Sequence, residues 1–132
     1  MNGLHALILA GKVLYLGICN APAWVVSSAN RYARLTSRTP FSIYQGAWGI
    51  LTRDFERDII PMARAEGMAL APWYVLGGGK IMTDEQERQK EAGEGGRTMF
   101  GDWKRNEKEK AVAQALEEVA AEVGAPNIQA GR

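Results

Sequence analysis

Three apolar, β-rich runs recur along this chain at intervals of about 28 residues: "KVLYLGICN" at 12–20, "PFSIYQGAW" at 40–48 and "MALAPWYVL" at 68–76. Such an interval accommodates one strand, one helix and two loops. The residues between the runs agree with that reading. Pro22 stands at a first helical position, and "AWVVSSANRYARLTS" carries apolar residues three and four apart. In "DFERDIIPMARAEG", Ile59, Ile60, Met62 and Ala63 are available to a core, Arg57, Asp58 and Arg64 turn outward, and Pro61 kinks or restarts the helix. A βαβαβ rhythm demands a parallel sheet with crossover helices, either doubly wound or part of a (β/α)8 barrel. In both architectures ligands meet the carboxyl ends of the strands. The residues at those ends are Cys19 and Asn20, then Tyr44, Gln45 and Trp48, then 73–79.

On the amino-terminal side, Leu4, Leu7 and Ile8 sit at helical spacing in a short helix stopped by Gly11. Beyond Lys80 the composition turns polar, and 83–106 reads as a mobile charged loop, helical at its start, either a solvated surface segment or an active-site lid. A last helix is predicted over 107–123, with Val112, Leu116, Val119, Ala120 and Val123 along one face and Gly124 as its stop. Ile128 reads as the start of another packed element. The chain is taken as a single domain over 1–132. Three parallel strands bury little on their second face, so it reads as a segment of something larger.

The composition, 46% apolar over 132 residues, is enough for a core. Sixteen basic and fifteen acidic residues leave a formal charge of +1 with no basic face, so neither nucleic acid nor a membrane surface is an expected partner. One cysteine cannot form an internal disulfide, and the start at Met1 lacks the charged and apolar regions of a secretory leader, so a cytoplasmic setting is expected. With one histidine and one cysteine, no metal-ligand set is expected. His5 is expected at the surface, and Cys19 as a buried structural thiol.

The strand ends carry the chemistry. Asn20 and Gln45 offer side-chain amides at the ends of adjacent predicted strands, which suits a carboxamide or similar planar polar group; alternatively Asn20 caps or precedes the Pro22 helix and Gln45 satisfies loop backbone. Trp73 is either core or a flat surface on which a ring could stack. Gly77, Gly78 and Gly79 let a ligand approach the backbone, and glycine-turn amides can hold phosphate oxygens. "LGGGKI" is nevertheless not a P-loop, because Ile81 stands where Ser or Thr would bind Mg²⁺.

The stretches "GKVLYLGICNAPAW" and "PFSIYQGAWGILTRDFERDIIPMARAEGMALAPWYVLGGGK", with the final charged helix, resemble the aldo-keto reductases, most closely the fungal aryl-alcohol dehydrogenase and norsolorinic acid reductase group. The likeness runs over nearly the whole chain, in order. It implies a partial TIM barrel, spanning its fourth helix to its seventh strand and the helices that follow, and NADP(H) as cofactor. It also implies that Cys19, Asn20 and Gln45 hold the nicotinamide carboxamide, that Trp73 stacks on the ring, and that Tyr74, Leu76 and Gly78 contact the pyrophosphate. Cys19 replaces the group's usual serine, and Gly49 stands where an asparagine is usual. The family's catalytic Asp, Tyr, Lys and His belong to earlier strands, and none maps onto this chain. The resemblance therefore implies an oxidoreductase acting on aryl or aliphatic aldehydes, ketones and alcohols, represented here by a fragment inactive alone. From a different class, the alternative expectation is a non-catalytic protein that self-associates through uncovered barrel edges.

Overall fold

The computed structural model describes residues 1–94 and 104–128. They divide into two compact units, Met1–Trp73 and Tyr74–Arg132.

The first unit contains helix α1 (Asn2–Leu9), strand β1 (Gly17–Cys19), α2 (Ala23–Leu35), β2 (Ile43–Ala47), α3 (Ile59–Glu66) and β3 (Ala69–Trp73). The strands form one sheet in the order β1-β2-β3, with both pairings parallel, as the repeat spacing requires. The first apolar run is mostly not strand. Pairing begins only at Gly17 opposite Ile43, so Leu14 and Tyr15 remain 81% and 77% exposed. The second predicted helix is also two pieces: a 3₁₀ turn at Asp54–Glu56, then α3 starting after Asp58. Pro61 therefore restarts the helix, in a first turn whose N–H groups have no intrahelical partner. Gly67, at φ 68°, closes α3 and returns the chain to β3.

Alternation along the strands sorts the sheet into two faces. Register partners Ile18, Tyr44 and Leu70 lie on the helix side, where Tyr44 joins Val26 of α2 and Ile59, Met62 and Ala63 of α3 in the core. Both crossover helices thus cover the same face. Gly46 shares that face, and a Cβ there would come within 2.6 Å of Cε2 of Phe55, so the buried aromatic ring occupies the space a side chain would need. Asn30 of α2 is the core's buried amide. It accepts from Phe41 N–H at 2.8 Å and donates to Phe41 C=O at 3.2 Å and to Sδ of Met68 at 3.5 Å.

Helix α1 buries no residue and is tethered by side chains. His5, expected at the surface, is half-buried, with Nδ1 accepting from Thr39 N–H at 3.2 Å and 3.0 Å from Thr39 Oγ1. Arg38 Nε donates to Oδ1 of Asn2. The short β2 entry that these bonds hold gave no periodic signal to predict them.

The second unit opens with a 3₁₀ turn at Gly77–Gly79, followed by α4 (Asp84–Gln89), a π-helical turn at Lys90–Glu94 and α5 (Glu107–Glu122). The segment read as a charged loop over 83–106 is helical at its start, as expected, from Asp84 until Gly93 breaks it at φ 86°, and its middle lies outside the described residues. Both α4 and α5 begin with capping boxes, Thr83 with Gln86 and Asn106 with Glu109. The predicted stripe of α5 holds in part: Ala120 is buried and Val112 and Leu116 are half-buried. Glu109 and Ala113 are also buried, whereas Val119 and Val123 are 52% and 68% exposed. Among the described residues, no helix is long and apolar enough to cross a membrane.

Candidate functional site

The face of the sheet opposite α2 and α3 carries the polar strand-end residues. Cys19 pairs in register with Gln45, and Gln45 with Ala71. Gly17, Ile18, Cys19, Ile43, Gln45 and Ala71 line a shallow concavity of about 270 Å³. Cys19 is exposed there, which corrects the expectation of a buried thiol. The reason is strand parity: Ile18 points to the core, so its neighbour points away from it.

Asn20 follows directly. Its N–H donates to the Gln45 carbonyl at 3.0 Å, extending the β1–β2 ladder by one bond. Its φ of 52° is left-handed, a conformation asparagine tolerates better than most residues. Asn20 precedes α2 without capping it: the N-cap is Pro22, with no side-chain bond. The side chains of Asn20 and Gln45 are exposed and engage no group among the described residues. Two amides are thus held at adjacent strand ends by backbone geometry, with their donors and acceptors available.

Tyr44 on β2 and Trp48 just after it, the other residues singled out here, serve the core. The Tyr44 hydroxyl donates to Ala21 C=O at 2.6 Å, and burial, then Asp58 and Cys19, push its phenol above the ordinary value. Trp48 stacks on Phe55 at 5.9 Å and donates Nε1–H to Glu56 at 2.9 Å. Trp73, at the end of β3, is half-buried, and its carbonyl accepts from Trp48 N–H at 3.0 Å.

In the second unit, Tyr74, Leu76 and Gly78 lie in or beside the glycine turn. Tyr74 adopts φ 65°, and Gly77, Gly78 and Gly79 follow at 62°, 66° and 90°. Glycine visits that region without steric penalty, so the three glycines make this backbone path affordable, whereas Tyr74 is strained. Gly77 N–H donates to Tyr74 C=O at 3.0 Å, and Gly79 and Ile81 N–H both donate to Leu76 C=O. Lys80 is not a free cation: its Nζ lies 3.3 Å from Oε1 of Glu109. Neither Glu109 nor Arg105 stood out in the sequence, although the N-x-x-E spacing of Asn106 and Glu109 was a readable capping signal.

A family model described as "Aldo/keto reductase family" matches residues 1–130. The chain is 61% identical over 131 residues to "Aryl-alcohol dehydrogenase [NADP(+)]" of Phanerodontia chrysosporium, covering 97% of this chain and 34% of that protein. It is 55% identical to "Probable aryl-alcohol dehydrogenase AAD4" of Saccharomyces cerevisiae, covering 98% of this chain and 40% of the relative. Over 97 residues it is 54% identical to "Norsolorinic acid reductase B" of Dothistroma septosporum, covering 74% of this chain and 25% of that protein. The chain thus spans between a quarter and two-fifths of the length of these relatives.

Proposed function

Because the chain belongs to the aldo/keto reductase family, we propose that its strands are consecutive staves of a (β/α)8 barrel carrying the nicotinamide half of an NADP(H) site. The 1-2-3 parallel order, with both crossovers on one face, supports a barrel over a doubly wound sheet. The observation that carries the cofactor reading is the Cys19–Gln45 register pair with Asn20 N–H on the Gln45 carbonyl. It sets two unengaged amides at adjacent carboxyl strand ends beside an open concavity, a donor set that fits a carboxamide. Cys19, Asn20 and Gln45 would orient that group, and Trp73 would offer the ring an apolar plane. Tyr74, Leu76 and Gly78 are the residues we propose for the pyrophosphate. When bound, the cofactor supplies the hydride equivalent for interconverting aryl or aliphatic aldehydes, ketones and alcohols. None of the described side chains is assigned as the proton donor, and the Tyr44 hydroxyl is committed to Ala21. We expect the 132-residue chain to turn over no carbonyl substrate. Its proposed setting is the reducing cytosol, in keeping with an exposed, single thiol.

Titration with NADPH, followed by tryptophan emission and energy transfer to the dihydronicotinamide, tests this reading. Saturable quenching is expected, abolished in Trp73→Ala and weakened about threefold to tenfold in Gln45→Ala, the loss of one hydrogen bond. A folded chain that shows no quenching would remove the cofactor assignment; reduction of an aryl aldehyde by this chain would remove the expectation of inactivity.

A second reading, self-association, rests on Leu14, Tyr15 and Trp24. These residues are 81%, 77% and 73% exposed, and the first two precede the edge strand β1. Light scattering should then give a mass that rises with concentration in the wild type and stays monomeric in Leu14→Glu. One monomer mass throughout would sink it.

A further inference from the structure

The glycine turn stands on the first turn of α5. Five contacts inside the second unit make the connection. Lys80, the residue after the glycines, pairs with Oε1 of Glu109, and both side chains are largely withdrawn from solvent. The other carboxylate oxygen, Oε2, accepts the Asn106 N–H at 2.8 Å and so caps α5. Arg105, the residue before that cap, is buried and reaches back along the same segment. Its guanidinium donates to Met82 C=O, to Asp84 at 2.6 Å and to Glu87 at 2.7 Å. The path from the glycines into α4 is therefore held at Lys80, Met82, Asp84 and Glu87 by two residues flanking one helix cap.

The need for such holding follows from the backbone. Successive left-handed residues at 77–79 form a path that glycine accepts but does not prefer, since an unrestrained glycine visits many others. The turn's own bonds, Gly79 N–H to Leu76 C=O at 3.1 Å and Lys80 N–H to Gly77 C=O at 3.3 Å, are local and close only small loops. A fixed point just beyond the glycines converts that freedom into one conformation.

We propose that Glu109 is a positioning residue for the glycine turn, acting through Lys80. Its divided carboxylate, one oxygen on the α5 cap and the other on the lysine, ties the turn to the helix start. As a site for dinucleotide phosphate this rests on the function proposed above; as a statement about the turn's order it does not. Glu109→Gln separates the two roles. Glutamine at this position still caps the helix, but it removes the charge that holds Lys80.

Amide hydrogen exchange of the 132-residue chain reads the turn directly. In Glu109→Gln, exchange at Gly79, Lys80 and Ile81 should rise about fivefold, the upper end for a partly exposed ion pair, while amides within α5 and β2 keep their wild-type rates. Lys80→Met should give the same rise, and the double variant no more than either single one. Unchanged exchange at 79–81, or increases that add in the double variant, would overturn the proposal. NADPH titration of the same variants separates this inference from the cofactor reading. If the wild type binds, Glu109→Gln should bind more weakly; tighter binding would mean that Glu109 merely competes for the lysine, and would overturn the positioning role. If the wild type does not bind while the exchange pattern holds, the cofactor reading fails and the positioning role stands.

Discussion

Asn30→Ala should lower the stability of the first unit by about 3 kcal/mol, measured as a shift in the urea midpoint at unchanged slope. The side chain is 1% exposed and satisfies both backbone groups of Phe41, with Met68 as its third partner. Alanine would leave the Phe41 N–H and C=O without those partners beside a cavity, and each loss carries its own penalty. The residue pins α2 to the entry of β2, so the change should also raise amide exchange along β2. A midpoint shift corresponding to less than about 1 kcal/mol would show that water replaces the amide.

Arg105→Ala should have an effect of similar size in the second unit, about 3 kcal/mol, because it strands the partly buried carboxylate of Glu87 and the Met82 carbonyl. The pH dependence checks the mechanism. Arg105, through its hydrogen bond and charge, holds the Glu87 carboxyl below its ordinary value of 4.5. A carboxyl depressed on folding contributes stability that is complete above about pH 4.5 and is lost as pH falls through the lower folded value. Wild type should therefore lose stability on the acid side of pH 4.5, and Arg105→Ala should lose less there, having given up that contribution already. Parallel acid profiles for the two proteins would assign the arginine's role to packing alone.

The sheet was legible because its signal is periodic. Three β-rich runs at equal spacing, separated by helical apolar patterns, leave few topologies other than parallel strands with crossover helices. What was not legible depended on pairing or on partners. The run at 12–20 has β composition throughout, yet only Gly17–Cys19 meets a neighbouring strand, so composition overstated its length. Cys19 was misread because thiols as a class are buried, whereas strand parity against Ile18 decides this one. On α5, Ala120 lies in the buried stripe as expected and Val112 and Leu116 are half-buried, but Val119 and Val123 face outward while Glu109 and Ala113 are buried, since helical spacing alone permits several faces. Asn20 and Gln45 stood out as amides at strand ends, and the structure puts them at adjacent ends. The Lys80–Glu109 pair and the bonds of Arg105 to Met82, Asp84 and Glu87 span long stretches of sequence and leave no local pattern.

The two faces of β2 have a consequence for how such a site tolerates change. Tyr44 and Gln45 are neighbours that point to opposite sides, and a slip of one residue in pairing would exchange them. The phase of the strand is fixed from behind, by the Tyr44 ring among Val26, Phe55 and Met62 and by its hydroxyl on Ala21. The core thus works as a ruler on which the open surface is marked. Substitutions at Cys19 or Gln45 alter the open surface while leaving its address intact; substitutions at Tyr44 or Gly46 move the address itself.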